Sequence, residues 1–332
     1  MDDKDEIQNA YLWDKSGAPD PDVARLEGLL GRFAHQGQAP PVAPSRRSLP
    51  ALAAAAVVLL AAGAVWISRT LDRADWNVVR VAGTPDVAAR PMGETGRLSE
   101  GQVIETDAAS RARLSVGLIG EVAVGPNSRV RLVRASSTDH RLALERGSIS
   151  ARIWAPPRLF FVQTPSALAV DLGCVYHLAV DDAGTGLLSV EIGWVALVEA
   201  GREAVVPAEA SCRMRPKAGP GTPFFDDASP AFRAALDQID VAPQDSGSLE
   251  TLLAEARRRD ALTLWHLLAH LPPPATQRVY DRLAGFIAPP AGVTREGIER
   301  HDARMIDLWR SEMGLPAHGK PPLWDSFTRA FS

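Results

Sequence analysis

Nineteen consecutive uncharged residues, Leu49 to Ile67, constrain this chain more than any other feature of its sequence. Arg46 and Arg47 stand before the run and Arg69 after it. At a helical rise of about 1.5 Å per residue the run reaches roughly 28 Å, close to the ~30 Å hydrocarbon core of a bilayer. Its eight Leu, Ile and Val residues each favour insertion by about 0.3 to 0.6 kcal/mol at a helix centre. A core helix of that length ordinarily carries a polar residue, so the run is expected to be a single transmembrane helix, with Trp66 as its interfacial anchor. Because 48 residues come before it, it does not read as a cleaved signal peptide. The flanking arginines, with Arg73 and Arg80 also on the far side, leave its orientation open.

The tail before the span is too short to build a core of its own. Asp20-Pro21 reads as an N-cap followed by proline at the first helical position. Val23, Leu26, Leu30 and Phe33 then recur at spacings of three, four and three, which places them on one face of a short helix. Tyr11, Leu12 and Trp13 form a second apolar cluster. A helix this short is not stable alone in water, so the stripe, together with the Tyr11-Leu12-Trp13 cluster, is expected to bind, either a partner's groove or the membrane surface. Residues 36 to 48, rich in proline, read as a linker.

A chain of 332 residues has room for more than one domain beyond the span. Its formal net charge of −4 gives no basic field for phosphate backbones, so nucleic-acid binding has no electrostatic support. From Trp76 to about residue 216 apolar residues alternate with polar ones between glycine-bearing turns. Leu114, Val116 and Leu118 alternate up to Gly120, and Val122, Val124, Val130 and Leu132 continue the pattern around the turn Gly125 to Ser128. Leu142, Leu144, Ile149, Ala151 and Ile153 follow, then Leu188, Val190 and Ile192. Period two over so many short segments predicts a mainly β domain at 76–216, a sandwich or a β-solenoid.

Residues 224–332 switch to helical spacing. Leu249, Leu252, Leu253 and Ala256 make one face, and Leu264, Trp265, Leu268 and Leu271 the next, behind an N-cap at Asp260. Further helices are expected from Thr276 to Ile287 and from Thr294 to Met313, the last ending at Gly314.

Signs of catalysis are absent from the sequence. His266 and His270 have metal-ligand spacing, but Leu267 stands where a zinc protease needs glutamate and no third ligand is apparent, so they read as surface or partly packed histidines. No phosphate loop or nucleophile elbow occurs. Asp181 and Asp182 read as a turn beside Gly184, and Arg257, Arg258 and Arg259 as a solvated helix end. An enzyme, a metal and a cofactor are therefore not expected. Cys174 and Cys212 are the only cysteines. If their side of the membrane is oxidising they can form one disulfide closing a loop of about 37 residues; otherwise they are two buried thiols.

Several segments, in order, carry a resemblance. Gly96 to Thr106, Arg113 to Val116, Gly120 to Ser128 and Val130 to Leu132 look like the opening of a FecR-type domain. Leu144-Glu145-Arg146-Gly147-Ser148, Phe161 to Pro165, Val170 to Cys174 and Gly193-Trp194-Val195 are similar to its later segments, except that Cys174 stands where that family often has threonine. The resemblance implies a membrane-anchored regulator in the inner membrane, its N-terminus cytoplasmic and its β domain periplasmic. It further implies that the tail holds an extracytoplasmic-function sigma factor while the β domain receives a signal. The tail is shorter than that family's usual sigma-binding region, and the C-terminal helices are no part of its core pattern. The alternative is an anchored envelope module that binds a glycan or a protein without sigma-factor control.

Overall fold

The computed structural model describes residues 21–33, 75–199 and 201–316. Among these residues no helix is long and apolar enough to cross a membrane. The expected span at 49–67 lies outside them, as do Tyr11, Leu12 and Trp13.

In the tail, α1 runs over Pro21–Leu30 and closes in a 3-10 turn, Gly31–Phe33. Proline at its first position costs no hydrogen bond, and Asp22 places a negative charge at the positive end of the helix dipole.

The remainder is mainly β. Its strands are β1 (Trp76–Ala82), β2 (Asp86–Val87), β3 (Arg90–Pro91), β4 (Thr95–Leu98), β5 (Val103–Glu105), β6 (Arg111–Val116), β7 (Gly120–Val124), β8 (Arg129–Ala135) and β9 (His140–Ile153). They continue as β10 (Phe160–Gln163), β11 (Leu168–Asp171), β12 (Val175–Val180), β13 (Gly186–Ile192), β14 (Trp194–Glu199), β15 (Arg202–Pro207) and β16 (Ala210–Arg215), with two-residue strands β17 (Gly219–Pro220) and β18 (Phe224–Phe225). The pairings make two sheets. The first runs β4-β1-β6-β7-β9-β12-β13-β16, with β17 and β18 both on β16. The second runs β3-β2-β5-β8-β9-β10-β11-β14-β15.

Strand β9 belongs to both. Its first half pairs with β8 and β10 in the second sheet, and its second half with β7 and β12 in the first. The switch falls at Gly147, whose φ is +87°, where a Cβ would run into Ser128. Only glycine adopts that backbone without strain. From β5 onward each sheet adds strands in sequence order while the chain changes sheet after every hairpin. The fold thus joins the face-to-face sheets of a sandwich to the stepwise advance of a solenoid.

The core between the sheets is what the alternation predicts: Leu114, Val116, Val122, Val124, Val130, Leu132, Leu142, Leu144, Ile149 and Leu188 are all at most 1% exposed. Two predicted inward residues depart from it. Strand β6 stops at Val116, Gly117 takes a φ of +50°, and Leu118 becomes the tip of a turn with its side chain 99% exposed. In β13 a bulge at Glu191 lets Val175 face Ile192 while Tyr176 faces Val190, and this extra residue turns Ile192 outward.

After Phe225 come α2 (Pro230–Val241), α3 (Ser246–Glu255), α4 (Ala261–Leu268), α5 (Ala275–Ala284), α6 (Arg295–Glu299) and α7 (Ala303–Glu312) around their own core. Ser229 and Asp245 cap α2 and α3 by accepting backbone N–H groups. The single helix predicted from Thr294 to Met313 is broken in two. His301 has a φ of +54°, and Asp302 accepts the N–H groups of Arg304 and Met305 and starts α7 afresh.

Candidate functional site

Helix α1 presents the clearest unpartnered surface. Leu26 is 57% exposed, Leu30 63% and Leu29 46%, with Val23 half-buried beside them. Leu29 was not part of the predicted stripe, but its position three residues after Leu26 and next to Leu30 puts it on the same flank. Burying leucines of this kind in a partner is worth about 1.5 to 3 kcal/mol each. Phe33 closes the 3-10 turn at the end of the helix.

In the β unit the densest chemistry lies in the turn between β11 and β12. Asp171 is 1% exposed. Its carboxylate accepts the Gly173 N–H at 2.7 Å and the Cys174 thiol at 2.7 Å. Burial pushes the Asp171 carboxyl up to about 7, with hydrogen bonds from the Cys174 thiol and from the Gly173 and Cys174 backbone opposing. Burial also drives the Cys174 thiol well above its ordinary value, helped by the adjacent carboxylate. Cys212 is raised too, chiefly by burial, and its thiol points at the carbonyls of Arg213 and Gly221.

These positions correct the expected disulfide. Cys212 is in register with Leu188 of β13, whereas Val175, next to Cys174, is in register with Ile192 on the other side of that strand. Four residues along a strand amount to about 13 Å, and a disulfide needs Cα atoms within roughly 7 Å. Both cysteines are free, buried thiols.

Of the histidine pair, expected at the surface or partly packed, His270 is partly packed and His266 is buried outright. His266 is 6% exposed and ties the helices to the second sheet. Its Nδ1–H donates to the Leu262 carbonyl at 2.9 Å, and its Nε2 accepts the Val205 N–H of edge strand β15 at 3.1 Å. That arrangement requires the neutral ring, and burial pushes its pKa down to about 3. One turn on, His270 is lowered to about 4, by burial and then by Arg202. A buried ion pair, Arg310 Nη1 to Glu203 Oε2 at 2.9 Å, fastens α7 to the same edge. No group of three metal-ligating side chains occurs among the described residues.

The three arginines are not merely a solvated helix end. Arg257 bridges Asp227 and Asp260, and those hydrogen bonds raise its pKa. Arg259 pairs with Glu209 and Asp227 and lies over the Phe225 ring, 4.1 Å from its centroid. Glu209, Asp227 and Arg259, with Val190, Glu191 and Asp226, line an acidic cleft of about 450 Å³. On the outer face of the first sheet, Ser150 Oγ and His177 Nδ1 are 3.1 Å apart. Among the described residues no carboxylate orients His177, so the pair lacks the third member that makes a serine a nucleophile. Asp181 does form the predicted turn, its carboxylate accepting the Thr185 N–H.

No family model and no curated protein matches the sequence. Among solved structures, two crystal structures of a candidate anti-sigma factor from Parabacteroides distasonis ATCC 8503, at 1.65 and 2.50 Å resolution, align with a TM-score of 0.34 and 16% identity. The alignment covers 41% of this chain and 64% of the other.

Of the residues the sequence singles out, Val23, Leu26 and Leu30 fall together on α1, while Cys174 and Cys212 lie apart. Asp171 lies in the FecR-like segment Val170 to Cys174 but was not singled out as a site residue, and its place inside an apolar strand, between Val170 and Leu172, is the signal that could have marked it.

Proposed function

We propose that this chain is a single-pass membrane regulator whose cytoplasmic tail holds an extracytoplasmic-function sigma factor through α1, while the two-sheet domain across the membrane receives a signal. The observation that carries the reading is the helix itself, with three leucines of one flank exposed and none of its residues buried. The uncharged run at 49–67 supports the anchor, and the ordered FecR-like segments between Gly96 and Val195 support the class of partner and the N-in orientation. No catalysis is involved. A signal acts by favouring one state of the protein over the other, since a ligand that binds both alike shifts nothing.

The test is capture of the sigma factors of the source cell by the full chain in detergent, against a Leu26→Asp, Leu30→Asp variant. Each lost leucine contact is worth at least a tenfold change at about 1.4 kcal/mol per decade, so the double variant is expected to weaken capture by about a hundredfold or more. Capture of nothing by an intact chain moves the reading to an anchored envelope-binding module.

A further inference from the structure

Both residues that leave the predicted inward pattern emerge at the same end of the β unit, and it is the end at which the chain comes in. Val78 pairs with Leu114 in antiparallel register, so two residues back along β1 Trp76 is level with Val116, two residues on along β6 and the last before the turn that carries Leu118. Beside that turn stands Trp154, 56% exposed, its backbone N–H donating to the Ile119 carbonyl at 3.0 Å. Ile192, 41% exposed, lies at the same end on β13, opposite Val175, which also pairs with Arg152.

Tight turns ordinarily carry glycine, asparagine, aspartate or serine at the tip, and a leucine exposed there next to a tryptophan gains nothing from water. Two protruding side chains also offer far less than the roughly 800 Å² per partner of a stable protein interface. Their shape suits a wedge into a soft surface, with tryptophan the residue that favours the headgroup level.

We propose that this end of the β unit rests on the bilayer, with Leu118 and Trp154 inserted among the lipid headgroups. The inference rests on the membrane-anchored reading above. Eight residues, 68 to 75, separate the apolar run from β1 and reach at most about 27 Å fully extended, so the end that carries Leu118 is held near the surface. Arg97 and Arg152 are exposed near this end, but so is Asp75, and Glu121 is in register with Arg152. The rim is therefore mixed in sign, and the contact is apolar and insensitive to salt.

The experiment places a polarity-sensitive dye on Leu118→Cys, Trp154→Cys and Asp182→Cys in the full chain, reconstituted in phosphatidylcholine liposomes containing a nitroxide-headgroup lipid. Asp182 lies in the turn after β12, at the opposite end of the unit, and the two native thiols are buried. Blue-shifted emission and quenching at 118 and 154, persisting in high salt, with neither at 182, is the expected result. Equal water exposure at all three sites in protein that floats with the liposomes overturns the contact and leaves the anchor standing. Protein that fails to float with the liposomes removes the anchored reading, and the contact with it.

Discussion

Asp171 is a carboxyl group that folding keeps from ionising at its ordinary pH. Its folded pKa of about 7 lies above the ordinary 3.8, so between those values the folded chain holds a proton that the unfolded chain gives up. Its contribution is fully present below pH 4 and is lost as pH rises through 7. At about 1.4 kcal/mol per unit the change is at most about 4 kcal/mol. Asp171→Asn, which stays neutral, is expected to be more stable than the parent at pH 8 and to lose that slope, as urea denaturation at pH 5 and pH 8 measures. The carboxyl was hard to find in the sequence because nothing about a single aspartate between two apolar residues distinguishes a solvated turn from a buried one. The same holds for the cysteines. Their strand context was legible, but whether they meet depends on register across β13, which spacing along the chain does not encode.

Elements were more legible than residues wherever one face met a core and the other met water. The period-two pattern located the inward residues of β6 to β9 and failed where backbone geometry intervenes: at Gly117, where a positive φ ends the strand, and at the β13 bulge. A fourteen-residue strand serving two sheets was not legible, because Gly147 looks like any turn glycine until Ser128 is seen pressing on it. Gly147→Val is expected to cost more than about 2 kcal/mol, through the strained φ and the clash together, read as a lower midpoint in urea. The helix pair α3 and α4 followed its stripes, but the role of α4 did not. His266 has a folded pKa of about 3 against an ordinary 6.5, so its stabilising effect is complete above pH 6.5 and disappears as pH falls toward 3. His266→Ala leaves the Val205 N–H unpaired in the edge of the sheet. It is expected to cost about 1 to 3 kcal/mol and to speed hydrogen exchange along β15 before any change in β12.

At the scale of the molecule the two titrations act in opposite directions and in different places. Acid strengthens the turn between β11 and β12 and weakens the hold of α4 on β15. Mild acid is therefore expected to increase exchange in residues 261–312 and β15 while the core of the first sheet stays protected, as mass-resolved exchange at pH 5 and pH 7.5, corrected for intrinsic rates, can establish. The exposed flank of α1 is the part of the candidate site most open to sequence reading, since apolar residues at helical spacing behind a proline-marked helix start declare themselves by their order along the chain alone.

The sequential growth of both sheets bears on how the chain assembles. From β5 onward each new strand pairs with one already made, so a polypeptide appearing N-terminus first can condense hairpin by hairpin without waiting for distant segments. Synthesis delivers the α4–α7 region only afterwards, and its His266 and Arg310 close the open side of β15. Until then the growing molecule carries a bare edge able to recruit another strand, so a chain stopped after Phe225 would be sticky where the finished protein is sealed.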